Sequence, residues 1–281
     1  MSWRVRLLRH DGSRPRPRAR RPGRRHHAAA LPPDGPRRPG QARPQPGHRG
    51  RHRDRAGPAG AAQADTETER ALRARLARER PDDSVLGEEE GGTQGARCWL
   101  LDPVDHTANF ARGVPVFATL IALVEDGEPT VGVVSAPALG RRWWAARGQG
   151  AFADGERIRV STVDALPDAS LSFAALERWD DRGLLPGIVD LSRRARHTWG
   201  SGGFWSQMLV AEGRLDASLD PWGKPWDLAA PKIIVAEAGG RLTDLDGEPR
   251  IDRDAALVSN DLLHPELLAA LRPSGHERRA G

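Results

Sequence analysis

Apolar and polar positions along this chain repeat at helix and strand periods from about residue 64 onward. Asp65–Leu76 (DTETERALRARL) puts Ala71, Leu72 and Leu76 on one side of a run of good helix formers, and Pro81-Asp82-Asp83-Ser84 ends it. Val85-Leu86 is a short apolar step ahead of Gly87-Glu88-Glu89-Glu90-Gly91-Gly92. Cys98–Leu101 reads as a buried strand. Phe117–Val124 and Thr130–Ser135, joined at Asp126-Gly127, read as a hairpin. Arg141–Ala146 and Ile158–Val160 are further strand-like stretches. Beyond the apolar stretch Ala169–Ala174 the pattern predicts a helix near Trp179–Val189 and a Gly-rich turn over 200–203. It then predicts a helix over Phe204–Glu212 stopped by Gly213, a strand at Leu215–Leu219 and a helix at Leu228–Ala238 ended by Gly239-Gly240. Leu257-Val258 is a last strand. Strands and helices in alternation, with hairpins, predict a layered α/β (α+β) domain over 61–272, an α+β half (61–160) and an α/β half (161–272), with 273–281 as a tail.

Composition changes the picture at the N-terminus. Residues 1–60 hold 17 Arg, no Lys and three acids, a net of +14, whereas the remaining 221 residues carry 26 basic and 35 acidic side chains, a net of −9. The overall +5 therefore misdescribes the folded part, which is acidic. The first sixty residues also hold 10 of the 23 prolines and 5 of the 9 histidines. With so few large apolar groups they read as disordered, and their composition is what GC-rich DNA yields when translated out of frame. A basic arm for nucleic acid is the competing reading, disfavoured by the missing Lys, the many prolines and the acidic remainder. The single Cys98 excludes an intrachain disulfide, and no apolar run is long enough to span a bilayer. A cytoplasmic protein without membrane partners is expected.

The candidate chemistry lies in WLLDPVDHTANF, residues 99–110. Asp102 and Asp105 flank the turn at Pro103, and two carboxylates ~4 Å apart repel by about 4 kcal/mol at an effective dielectric of ~20. Pro103 pushes Asp102 into an extended conformation at a strand's end, while Asp105 and Thr107 open a helix whose free N–H groups favour an anion. Oxygen ligands for Mg²⁺ and a phosphate cradle thus lie side by side. Glu88, in its Gly-flanked acidic run, and Asp227, in Pro225-Trp226-Asp227-Leu228, extend the set. The alternative makes Asp105 and Asp227 helix N-caps and Asp102 a turn residue.

Gly87-Glu88-Glu89, Trp99–Phe110, Trp226-Asp227-Leu228-Ala229-Ala230 and Glu237-Ala238-Gly239-Gly240 together resemble the inositol monophosphatase superfamily. The likeness runs from about Ala64 to Leu271. Val134–Ala145 (VSAPALGRRWWA) is most similar to its bacterial histidinol-phosphatase branch. The resemblance implies a layered αβαβα sandwich and Mg²⁺-dependent hydrolysis of a phosphate monoester with two or three ions. The expected substrate is L-histidinol phosphate in histidine biosynthesis, with inositol 1-phosphate or a related sugar phosphate as the alternative. It also implies a possible homodimer. Glu88, Asp102, the Val104 carbonyl, Asp105 and Asp227 match its metal positions. Thr107 matches the residue orienting the attacking water, Asp65 matches that Thr's partner, and the amides of His106 and Thr107 match the phosphate cradle. Asp220 matches an acid touching the organic part of the substrate, as against a residue that caps the turn at Pro221-Trp222-Gly223.

Three positions depart from the family. His106 replaces a Gly, where the ring either crowds the phosphate or binds it as a cation. Ala62 replaces a Thr, and Gly203 an Asp of the histidinol-phosphatase branch. A catalytically impaired homologue is therefore a further expectation.

Overall fold

The computed structural model describes residues 57–272. The reading of the Arg/Pro-rich segment and of the 273–281 tail lies outside them, except at residues 57–60, which already belong to the first helix.

That helix, α1 (Gly57–Glu79), is followed by strands β1 (Ser84–Gly87), β2 (Gly91–Gly92) and β3 (Arg97–Asp105), then helix α2 (Thr107–Arg112). Strands β4 (Ala118–Glu125), β5 (Glu128–Ala136), β6 (Arg141–Ala146), β7 (Gly150–Ala153) and β8 (Glu156–Ile158) complete one sheet, ordered β2-β1-β3-β4-β5-β6-β7-β8. Only the β1–β3 pair is parallel; the rest is a meander. The second half contains β9 (Ser170–Phe173), α3 (Leu176–Asp181), α4 (Leu185–Arg194), β10 (His197–Trp199), α5 (Gly203–Ala211) and β11 (Ala217–Asp220). It continues with α6 (Pro225–Glu237), β12 (Arg241–Thr243), β13 (Ala256–Ser259) and α7 (His264–Leu271). Its five strands form a mixed sheet, β10-β9-β11-β13-β12.

The apolar pattern explains the layering. Helices α5 and α6 are apolar nearly all round, so both of their faces must be covered. They lie between the sheets, sharing one core with Leu100, Leu120, Val134 and Trp143 of the first and Leu242, Ala256 and Val258 of the second. A second core, holding Leu171, Leu219, Trp179, Ile188, Leu191, Leu257 and Leu267, fills the space between the far face of the second sheet and α3, α4 and α7. Helices α1 and α2 pack on each other, with α1 against β3. The order α, β, α, β, α is the expected sandwich.

Three expectations change. The single helix expected near Trp179–Val189 is two, α3 and α4, parted at Arg182-Gly183-Leu184, where Gly183 takes a positive φ. The buried stripe of α1 is Ala61, Asp65 and Glu69, one turn apart, whereas Ala71 is exposed and Leu72 and Leu76 only half-buried. The strand expected over 98–101 runs through Pro103 to Asp105. Asp102 pairs with Leu120 and Asp105 with Ala118, so three steps on β3 face two on β4. Pro103 has no N–H for the ladder, and a bulge absorbs the extra residue. In a regular strand residues three apart point to opposite faces; the bulge resets that alternation.

Candidate active site

The carboxyl ends of β1 and β3, the start of α6 and one face of α1 converge on a cluster of acids. Oxygens of Glu88, Asp102 and Asp227 all lie within 4.8 Å of one another. Asp102 is buried, Asp227 half-buried and Glu88 exposed. Asp227 stands at the third position of α6, not at its N-cap, which is Lys224; its Oδ2 accepts the Lys224 N–H at 2.8 Å. Burial first, and then repulsion from the neighbouring acids, pushes the Glu88 carboxyl up to about 7 and Asp102 well above the carboxylate range. Burial and then Asp105 raise Asp227 to about 6. Asp102 Oδ1 is buried without a hydrogen-bond partner. A buried unpaired acceptor among like charges is costly unless a cation joins it, and an all-oxygen set suits a hard divalent ion.

Asp105 stands apart from the three. Its Oδ2 accepts the Phe204 N–H at 3.2 Å, and its carboxyl is raised by burial to about 6 against that bond and the His106 N–H. The N-cap of α2 is His106, so the capping alternative for Asp105 fails. The Val104 carbonyl accepts the Thr107 hydroxyl at 2.9 Å. Asp65 faces that hydroxyl: burial and the charge of Glu89 raise its carboxyl to about 6, the Thr107 hydroxyl opposes the rise, and its Oδ1 has no partner. A cavity of about 430 Å³ between α1 and α2 reaches both residues.

Asp220, at the end of β11, is buried and accepts from the Gly203 N–H (3.0 Å), Gln207 Nε2 (3.0 Å) and Ser218 Oγ (3.1 Å). These bonds belong to α5 and β11, not to the turn after it. Burial outweighs them and raises the carboxyl to about 6.

His106 adopts the left-handed conformation expected of a Gly there, with φ 68° and ψ 45°. The Asn109 side-chain amide donates to Nδ1 at 3.0 Å, and the ring meets Phe204 edge to face. Burial lowers its pKa, against the opposing pull of Asp220 and Asp227.

One participant escaped the sequence reading. Glu69 is fully buried on α1, paired with Arg73 at 2.7 Å, and accepts the amides of Glu89 (2.8 Å) and Glu90 (3.2 Å). It holds the loop that carries Glu88. Gly87 makes room for it, since a Cβ there would lie 2.1 Å from Glu69 Oε1. Its spacing of four from Asp65 was the available signal.

Comparison with known proteins follows the same lines. Residues 50–279 match the inositol monophosphatase family. The chain is 52% identical over 215 residues to the histidinol-phosphatase of Mycobacterium tuberculosis, covering 74% of this chain and 83% of that one. The Streptomyces coelicolor histidinol-phosphatase is 49% identical over 220 residues, covering 74% and 82%. Among solved structures, an IMPase from Thermotoga maritima superposes with a TM-score of 0.67 at 36% identity over 74% of this chain and 81% of its own.

Proposed function

The chain belongs to the inositol monophosphatase family, as a phosphomonoesterase, and we propose that its substrate is L-histidinol phosphate, hydrolysed in histidine biosynthesis with Mg²⁺. The observation that carries the metal-dependent chemistry is the convergence of Glu88, Asp102 and Asp227 around the buried, unpaired Asp102 oxygen. The two relatives at about half identity support the choice of ester.

In this reading Glu88, Asp102 and Asp227 hold the cation, joined by Asp105 and the Val104 carbonyl. Bound by these residues, magnesium would supply a more acidic water and a counter-charge for the leaving oxygen. Thr107, held between the Val104 carbonyl and Asp65, orients the attacking water through its hydroxyl. The Thr107 amide, at the first position of α2, and that of His106 face the phosphoryl oxygens. Asp220 receives the amine or imidazole of the alcohol, a cation suited to a carboxylate already fixed by three donors. The single, buried Cys98 fits work in the reducing cytoplasm. Among the described residues no helix is long and apolar enough to cross a membrane.

Phosphate release from histidinol phosphate and inositol 1-phosphate, with and without Mg²⁺, tests the proposal. Preference for histidinol phosphate is expected. Preference for inositol 1-phosphate would transfer the activity to the other ester, and no Mg²⁺-dependent release from either would mark an impaired homologue.

A further inference from the structure

The two departures His106 and Gly203, 97 positions apart, meet in space. Gly203 opens α5 with φ +62°, and a Cβ built on it would lie 2.3 Å from His106 Nε2 and 3.1 Å from Cδ2. Carbon and nitrogen cannot approach so closely, so the imidazole occupies the volume where a side chain at 203 would begin. The ring is fixed there by Asn109 on Nδ1 and by the edge of Phe204. Its Nε2 lies 3.9 Å from Asp105 Oδ1. The adjacent Gly202 is equally tight, since a Cβ on it would come 2.4 Å from Asp220 Oδ1. The imidazole therefore stands between Asp105, on the phosphate side, and the 202–203 turn that holds Asp220.

We infer that His106 and Gly203 form one specificity-determining pair, in which the ring supplies the wall of the substrate pocket that a side chain at 203 would otherwise supply, so that bulk is tolerated at one of the two positions but not at both. This rests on the proposed phosphatase reading and deepens it: the pair sets the clearance available to the alcohol of the ester between Asp105 and Asp220. The role is steric and asks nothing of the ring's charge.

The test is a double-mutant cycle on the full chain with His106→Gly, Gly203→Ala and the two combined. Melting temperature is one readout and Mn²⁺ binding by calorimetry a second. The third is the ratio of kcat/KM for histidinol phosphate to that for the differently shaped inositol 1-phosphate. Gly203→Ala alone should lower the melting temperature by several degrees, and much less in the His106→Gly background, where only the strain of a positive φ remains. Additive losses would overturn the pairing. His106→Gly should change the kcat/KM ratio severalfold, mainly through KM, with Mn²⁺ affinity within about twofold of the parent. An unchanged ratio, or a collapse of Mn²⁺ binding, would overturn the specificity role and make His106 a support of the metal ligands. Were neither ester hydrolysed, the proposed function would fall, while the melting cycle would still decide whether the two residues share one space.

Discussion

Two buried polar clusters among the described residues contrast sharply, one closed and the other open. Around His264, Nδ1 meets Ser259 Oγ at 2.8 Å and Nε2 meets Thr243 Oγ1 at 2.9 Å, so both ring nitrogens are partnered. Burial, and then the charge of Arg241, lowers its pKa to about 4, leaving a neutral ring stitched between β12, β13 and α7. Around Asp102 the partners are other acids, every one of them raised, and an oxygen is left bare. A closed network gains nothing from a ligand. An open one made of like charges is destabilised until something positive arrives. That contrast, more than burial or count of polar groups, separates structural polarity from a site.

The comparison breaks most visibly at Asp102. Asp102→Asn removes a ligand charge, and Mg²⁺-dependent turnover should fall by about a hundredfold or more, beyond the ~10–100-fold typical of losing an outer partner. The same change relieves repulsion, so the metal-free protein should melt higher; kinetics and melting curves check both. Unchanged turnover would remove Asp102 from the site. Glu69→Gln keeps an acceptor oxygen but loses the charge gripping the 89–90 amides, and should weaken Mn²⁺ binding by about tenfold in calorimetry.

The pH profile of stability then sharpens the contrast. Asp65, Asp105, Asp220 and Asp227 near 6 and Glu88 near 7 are all above their ordinary values. Their contribution is fully present below about pH 4 and is lost as pH rises through 6 to 7. His264 works the other way: its contribution holds above about pH 6.5 and is lost as pH falls towards 4. Adding Mg²⁺ should flatten the loss on the alkaline side and leave the acid side untouched. A melting-temperature scan from pH 4 to 8, with and without Mg²⁺, separates the two. The smallest effect on function is expected from His264→Ala. It should cost about 2–3 kcal/mol of stability through unpaired hydroxyls and a cavity, with kcat retained at temperatures where the variant is folded.

Much of this was legible in the chain. The alternation in FATLIALV and TVGVVS marked β4 and β5, and the all-round apolar runs FWSQMLVA and LAAPKIIVAEA marked the two helices that both sheets share. Local rules suffice where a segment's own apolar pattern sets which of its faces must be buried. They missed α7, whose HPELLAAL is short and takes its partners from β13 and α4. They misjudged the inner face of α1, because its buried stripe carries two acids, Asp65 and Glu69, in place of the apolar residues that periodicity looks for. Glu88, Asp102 and Asp227 were readable as a set through their motifs. The separate position of Asp105 was not, since its partner is an amide 99 residues away. Nor was the meeting of His106 with Gly203, which needs the two sheets brought together.

The start of α5 has a further consequence. Its first two amides go to carboxylates from different sheets: Gly203 N–H to Asp220 at the end of β11, and Phe204 N–H to Asp105 at the end of β3. The two sheets are thus gauged against each other by neighbouring rungs of one helix, with no flexible loop between. A shift of either sheet changes one rung relative to the next, so the spacing between the Asp105 and Asp220 carboxylates is held to the length of a single peptide unit. In this molecule the measuring stick between the two carboxylates is a piece of backbone.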